Sequence, residues 1–213
     1  MIRENKRIII ICALVMLIPV IAGLLLWSKL PDQLITHWNM AGEADGYSSK
    51  TFVIFGLNGI LYAIFGICLF ATQADPKNKN ISKKSFMLCV GIVPIISVFA
   101  NAVTLGAGLG KEINVMLFMK LLISIIFIVI GNFIPKMRQS YTIGIKLPWT
   151  LNSEENWNKT HRFAGRIWVI CGFVLLTDAF AGFLPIAGII AIFVIMIFVP
   201  FVYSYLYYLK EKK

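Results

Sequence analysis

The chain has 213 residues, 59% of them hydrophobic and only 14% charged, with a formal net charge of +10. A soluble domain would carry about 25% charged residues, and apolar runs of about 20 residues recur along this chain, so it is excluded from the ordinary soluble proteins and placed among polytopic membrane proteins. In such a protein a basic excess is first explained by cytoplasmic loops, and no direct nucleic-acid partner is expected.

In chain order, six apolar spans are predicted, at about residues 8–27, 52–72, 85–106, 114–135, 167–184 and 187–208. The start is basic and then apolar, as in a secretory signal, but the first run is long enough to span and no small-residue cleavage pattern follows it, so a retained first helix is expected. Cys12, Cys68, Cys89 and Cys171 each fall inside an apolar run and form no C-x-x-C pair. They read as small packing residues, with no disulfide framework, metal site or cofactor implied.

Lysine and arginine alternate between the loops. Arg3, Lys6 and Arg7 precede the first span; Lys77, Lys79, Lys83 and Lys84 follow the second; Lys136, Arg138, Lys146, Lys159, Arg162 and Arg166 follow the fourth; Lys210, Lys212 and Lys213 end the chain. The other loops hold only Lys29 and Lys50, then Lys111, then none. By the positive-inside rule both termini are cytoplasmic, the loop 28–51 lies outside and the loop 136–166 inside. The expected fold is an all-α integral membrane protein of six transmembrane helices, divided into a half at 1–110 and a half at 111–213.

The outer loop reads SKLPDQLITHWNMAGEADGYSSK. Leu30-Pro31 ends the first helix, Asp45-Gly46 signals a turn, and Trp27 and Trp38 suit an interface. His37, Glu43 and Asp45 match no closed metal-site spacing. The loop reads as a compact contact surface for something extracellular, presented by His37, Trp38, Asn39, Asp45 and Tyr47.

The inner loop, IGIKLPWTLNSEENWNKTHRFAG from Ile143 to Gly165, is the longest polar interruption of the chain. Lys146-Leu147-Pro148 is extended. Asn152 is expected to cap a helix, with Glu155 reaching back as in a capping box, and Glu155 and Lys159 stand one turn apart. Trp157, His161 and Ala164 share one helical face; Asn156, Lys159 and Arg162 lie elsewhere around it. This describes a short interfacial helix before the fifth span, with Trp149 and Trp157 at headgroup level and Lys146, Lys159, Arg162 and Arg166 toward anionic lipid. A scaffold and a docking surface for a cytoplasmic partner are compatible readings. The docking candidates are Pro148, Trp149, Glu154, Glu155, Trp157, Lys159, His161 and Arg162.

Lys120 and Asp178 are the only charged residues well inside apolar runs, where ionisable groups are expensive. At about 1.5 Å per residue both lie about 10 Å from the outer ends of their helices, so they suit one buried ion pair. Asn58, Asn101 and Thr177 fall at similar depth, and an outer polar cluster of Asn58, Asn101, Lys120, Thr177 and Asp178 is predicted. It serves either to hold helices together or as an ion or ligand site of a small transporter or channel. A membrane enzyme would need acid, base and nucleophile on one side; His37 and His161 lie on opposite sides, and no enzyme is expected. Each half carries a long loop with Leu-Pro and Trp-Asn (Leu30-Pro31 and Trp38-Asn39; Leu147-Pro148 and Trp157-Asn158), a pattern compatible with an inverted repeat.

The stretch IGIKLPWTLNSEENWNKTHRFAG, followed by a tryptophan-bearing span, resembles the signature of the SdpI immunity-protein family. LPDQLITHWNMAGEADGYSSK resembles the domain of unknown function that precedes it in such proteins. The resemblance implies a multi-pass bacterial plasma-membrane protein that protects its producer against a secreted membrane-active peptide toxin. It also implies a receptor that, on engaging toxin, holds a small cytoplasmic repressor at the membrane. The positions carried over are Ile143, Gly144, Pro148, Trp149, Thr150, Glu154, Glu155, Trp157, Lys159, Thr160, His161 and Arg162 inside, with His37, Trp38, Asn39, Gly42, Asp45, Gly46 and Tyr47 outside.

Overall fold

The computed structural model describes residues 2, 4–39 and 41–212. Arg3 and Lys213, which contribute to the charge asymmetry, lie outside the described residues. Most of the chain is helical. Among the described residues, six helices are long and apolar enough to cross a membrane: Lys6–Leu25, Phe52–Ala74, Lys83–Gly108, Val115–Lys136, Glu154–Ala181 and Ile186–Glu211. The chain forms two compact units, Met1–Gln73 with Met87–Met116, and Ala74–Phe86 with Leu117–Lys213.

The first unit begins with α1 (Lys6–Leu25). The outer loop, expected only to be compact, contains a two-stranded antiparallel hairpin, β1 (Gln33–Trp38) and β2 (Ala44–Ser49). The reason is local. Ile35, Thr36 and Trp38 favour extended backbone, and Asn39 builds the turn. Its Oδ1 accepts the N–H groups of Ala41 (2.9 Å) and Glu43 (3.0 Å), while Gly42 supplies the positive φ of 84°. Leu34 lies opposite Ser48 and is fully buried with Leu30, Val53, Ile54 and Leu105, so the hairpin is fastened to the helices by its first strand. Lys50 pairs with Asp32 at 2.9 Å and stands over the Trp27 ring at 5.2 Å.

The next helix opens with a π-helical stretch, Phe52–Leu57, and continues as α2 (Asn58–Ala74). A π stretch displaces backbone carbonyls from their regular partners. Here the Asn58 amide donates to the carbonyls of Val53 (3.2 Å) and Ile54 (3.1 Å). It also exchanges amide hydrogen bonds, 3.1 Å each way, with Asn101 of α3 (Lys83–Gly108), and Ser97 donates to the same Asn58 oxygen at 3.3 Å.

The second unit contains α4 (Val115–Phe133) from Leu117 onward, α5 (Pro148–Asn152), α6 (Glu154–Ala181) and α7 (Ile186–Glu211). α4 and α6 pack backbone to backbone: a Cβ on Gly165 would stand 2.6 Å from the Gly131 carbonyl oxygen, and one on Gly172 would stand 3.1 Å from that of Ser124. Close approach through small residues is how helices associate without a hydrophobic driving force. α6 and α7 share a core of Cys171, Leu175, Ile192 and Met196. Gly182, left-handed at φ 62°, ends α6, and Asp178 Oδ1 accepts the Leu184 N–H at 2.7 Å across the turn.

One boundary corrects the sequence expectation. Ser153, not Asn152, caps the inner helix, accepting the Asn156 N–H at 3.1 Å. The segment expected as a separate interfacial helix is the start of the continuous 28-residue α6; the short helix in this loop is the five-residue α5.

Candidate functional site

The loop 137–153 folds back over the first turns of α6. Pro148 opens α5, where its missing N–H costs nothing, and the Thr150 hydroxyl accepts the Leu147 N–H (2.9 Å) while donating to the Ile145 carbonyl (2.8 Å). Trp157 and His161, one turn apart on α6, stack with ring centroids 3.9 Å apart and both are fully buried. Trp157 Nε1 donates to the Met137 carbonyl at 2.8 Å. His161 Nδ1 donates to the Trp157 carbonyl at 2.7 Å, and Nε2 accepts the Ile145 N–H at 2.9 Å. That pair of bonds assigns the proton to Nδ1.

Gly144 explains why the loop can cross these rings. Its φ is +121°, and a Cβ there would stand 2.5 Å from Trp157 Cη2 and 2.6 Å from His161 Nε2. The Ile143-Gly144-Ile145 of the motif is therefore a backbone crossing that only a residue without a side chain permits.

A second layer of contacts ties the loop to the segment after α2. Asp75 accepts the N–H groups of Lys77 (2.7 Å) and Thr142 (2.8 Å). Burial pushes its carboxyl up, but hydrogen bonds from the Lys77 and Thr142 backbone and the Thr142 and Ser140 side chains outweigh that and hold it below the ordinary carboxylate value. Gln139 donates to the carbonyls of Thr150 (2.7 Å) and Leu151 (2.9 Å), accepts from Lys77 Nζ, and offers its own carbonyl to Asn80 at 3.1 Å. On the other flank Trp149 donates to Ser204 Oγ at 2.8 Å, and Ser204 donates to Asn156 Oδ1 at 2.8 Å. Thr160 donates to the same oxygen at 3.0 Å, and the Asn156 amide returns to the Ser204 carbonyl at 3.1 Å. Phe201, Tyr205 and Tyr208 of α7 surround the Trp149 ring, with centroids at 5.7, 5.2 and 5.7 Å.

The docking candidates divide by exposure. Trp157 and His161 are interior, which corrects the expectation of Trp157 at headgroup level: its N–H and ring face the folded loop. Trp149 is half-buried against α7. Pro148, Glu154, Glu155, Lys159 and Arg162 are exposed. Glu155 pairs with Lys159 at 2.8 Å, and Tyr207 donates to the same carboxylate oxygen at 2.6 Å. Four residues of this knot were missed in the sequence: Asp75, Gln139, Ser140 and Ser204. Two of them carried a signal, since Asp75 closes the second apolar run and Ser204 is a lone serine in the last; Gln139 and Ser140, in a polar loop, carried none.

In the outer hairpin His37 and Asp45 form an exposed pair, Asn39 makes the turn, Trp38 stands opposite Ala44, and Tyr47 is 59% exposed. Of the predicted polar cluster, Asn58 and Asn101 meet within the first unit. In the second unit Lys120 Nζ lies 2.8 Å from Asp178 Oδ2, with the aspartate side chain fully buried. Thr177 donates instead to the Val174 carbonyl of its own helix at 2.9 Å. Among the described residues no group of three His, Cys, Asp or Glu is placed to hold a metal.

Six helices long and apolar enough to span, with these two folded loops, define the class of multi-pass membrane proteins. Residues 14–62 match the domain of unknown function DUF1648, and residues 136–204 match the SdpI/YfhL protein family. Along 202 residues, 94% of this chain and 96% of the relative, it is 26% identical to Immunity protein SdpI of Bacillus subtilis (strain 168). No solved structure matches it.

Proposed function

We propose that this protein confers immunity against a secreted membrane-active peptide toxin, and that it is also a receptor that recruits a small cytoplasmic repressor to the membrane. The observation carrying the reading is the near full-length similarity to a protein named for immunity. The orientation comes from the lysine and arginine asymmetry: both termini and the knot around Trp149–His161 are cytoplasmic, and the β1–β2 hairpin faces outward. The protein acts by binding rather than catalysis. Toxin meets the hairpin surface of His37, Trp38 and Tyr47; the repressor meets the exposed residues Pro148, Glu154, Glu155, Lys159 and Arg162. Signalling further requires that toxin bind one state of the protein better than another.

Expression in a toxin-sensitive strain tests the first half: survival under toxin should rise, and equal killing with and without the protein refutes it. Membrane fractionation of a co-expressed repressor tests the second half, with recruitment expected only when toxin is present. The buried Lys120–Asp178 pair favours one other reading, a small transporter or channel. Under it, liposomes carrying the protein would move an ion or solute and Asp178→Asn would stop the flux.

A further inference from the structure

Beside the close contact of Gly131 and Gly165 between α4 and α6 lies a shallow, mostly apolar groove lined by Gly131, Asn132, Pro135, Gly165, Arg166 and Ile170. Its apolar flank faces outward: Ile170 is 59% exposed, and Ile125, Val129 and Phe173 on the same two helices are also exposed. In a membrane protein such side chains meet acyl chains. Asn132 and Pro135 stand at the end of the fourth span, so one end of the groove reaches the headgroup level while the rest lies along hydrocarbon.

Arg166 sits at that end. Its side chain is exposed and has no ion-pair or hydrogen-bond partner among the described residues, and the same holds for Arg162, one turn earlier on α6. Lys136, at the end of the fourth span, stands over the Phe133 ring and has no other partner among the described residues. A guanidinium at the polar end of an apolar, lipid-facing groove has the complement of a phospholipid: fork-like donors for a phosphodiester above a channel for one acyl chain. Basic pockets between transmembrane helices on the cytoplasmic side bind anionic headgroups by this arrangement.

We infer that the α4–α6 groove binds one anionic phospholipid, its phosphate on Arg166 and an acyl chain along Gly131, Gly165 and Ile170. The occupant is committed by charge: the groove offers a cation and no acid, and it opens where lipid is the solvent. A second copy of this chain would need to bring a carboxylate or a close-packed helix to the same place.

The test uses the full-length protein in nanodiscs of phosphatidylcholine with a minor fraction of phosphatidylglycerol, followed by native mass spectrometry of lipids retained after release. Phosphatidylglycerol should be retained about fivefold above its share, the weight of one basic side chain near an anionic surface. Arg166→Gln should return retention to the bulk ratio. Lys83→Gln, at a basic residue that opens α3, should leave it enriched. Ile170→Trp, a tolerable change at an exposed position, should displace both lipids by filling the groove. Unchanged enrichment in Arg166→Gln overturns the assignment, as does a dimer mass that Ile170→Trp abolishes with no lipid retained. The outcome is independent of any toxin, so its failure leaves the immunity reading untouched.

Discussion

Gly144→Ala should be among the most damaging single-methyl changes in this protein. Two costs meet there. An alanine held at φ +121° sits in a sparsely populated region at about 1–3 kcal/mol, and its Cβ stands 2.5 Å from Trp157 and 2.6 Å from His161, an overpacking cost of about 1–3 kcal/mol more. Lifting the loop offers no relief, because it breaks the Ile145–His161 bond and leaves a buried donor and acceptor at about 1–3 kcal/mol. A loss of about 3 kcal/mol is expected, or about 6–12 °C in Tm for a chain of this size. The control is Gly110→Ala. That glycine also has positive φ, 76°, but a Cβ there meets nothing within 4 Å, so it carries the backbone cost alone. Thermal unfolding of both variants in detergent, with protease cleavage of the loop 137–147 as a second readout, measures the difference. Equal Tm values would refute the claim that the loop is seated on the Trp157–His161 stack.

Lys120→Met and Asp178→Asn should destabilise unequally. The methionine leaves a fully buried carboxylate unpaired, at about 3–5 kcal/mol, whereas Lys120 is 20% exposed and can turn toward water when its partner is neutral. The double variant should recover much of the larger loss; additive losses in a double-mutant cycle would show no coupling. Ser204→Ala should cost about 1–3 kcal/mol, since Trp149 Nε1 loses its acceptor and Asn156 one donor. Red-shifted tryptophan emission with lower Tm would register it. Asp75 gives a pH signature. Its folded-state carboxyl is held below its ordinary value, so the ionised form contributes stability above about pH 4, and that contribution is lost as pH falls through the folded pKa. Stability from pH 7 to pH 3 should fall in the native protein, and Asp75→Asn should flatten the part due to this residue.

The spans were legible in the sequence because bilayer thickness imposes a length and an apolar composition that few other structures share. The Lys120–Asp178 contact was legible for a related reason: two isolated charges in apolar runs at equal depth leave few alternatives. The inner knot was only half legible. Glu155 and Lys159 pair as their spacing predicts, but helical periodicity cannot say whether the Trp157–His161 face meets lipid or a folded loop. The partners that decide it, Met137 and Ile145, are not spaced by any period. Local chemistry also misled at the cap, where Asn152 and Ser153 are both good capping residues. The hairpin was not legible, because turn residues such as Asp45-Gly46 mark a reversal of the chain without specifying paired strands. Its alternating Leu34, Thr36 and Trp38 pattern is short. The repeated Leu-Pro shows how little dipeptides carry: Leu30-Pro31 leads into a strand and Leu147-Pro148 opens a helix.

The burial of Trp157 and His161 changes how variants of the inner motif must be interpreted. Both rings are fully enclosed, and their polar atoms are spent on Met137, Ile145 and the backbone of α6 itself. A partner can touch them only if the loop comes away, which exposes an indole, an imidazole and several backbone groups at once. Loss of recruitment in a Trp157 or His161 variant therefore reports on the seat of the loop, and should be accompanied by lower Tm and faster cleavage between residues 137 and 147. Glu154, Glu155, Lys159 and Arg162 are exposed, with contacts limited to a surface network through Tyr207. Charge reversal there changes the electrostatics a partner meets while leaving the knot intact. A Glu154→Lys variant that keeps its Tm and loses recruitment would place the partner on the outer face of α6; if it keeps both, the partner's surface must be sought at Pro148 and the exposed side of α5.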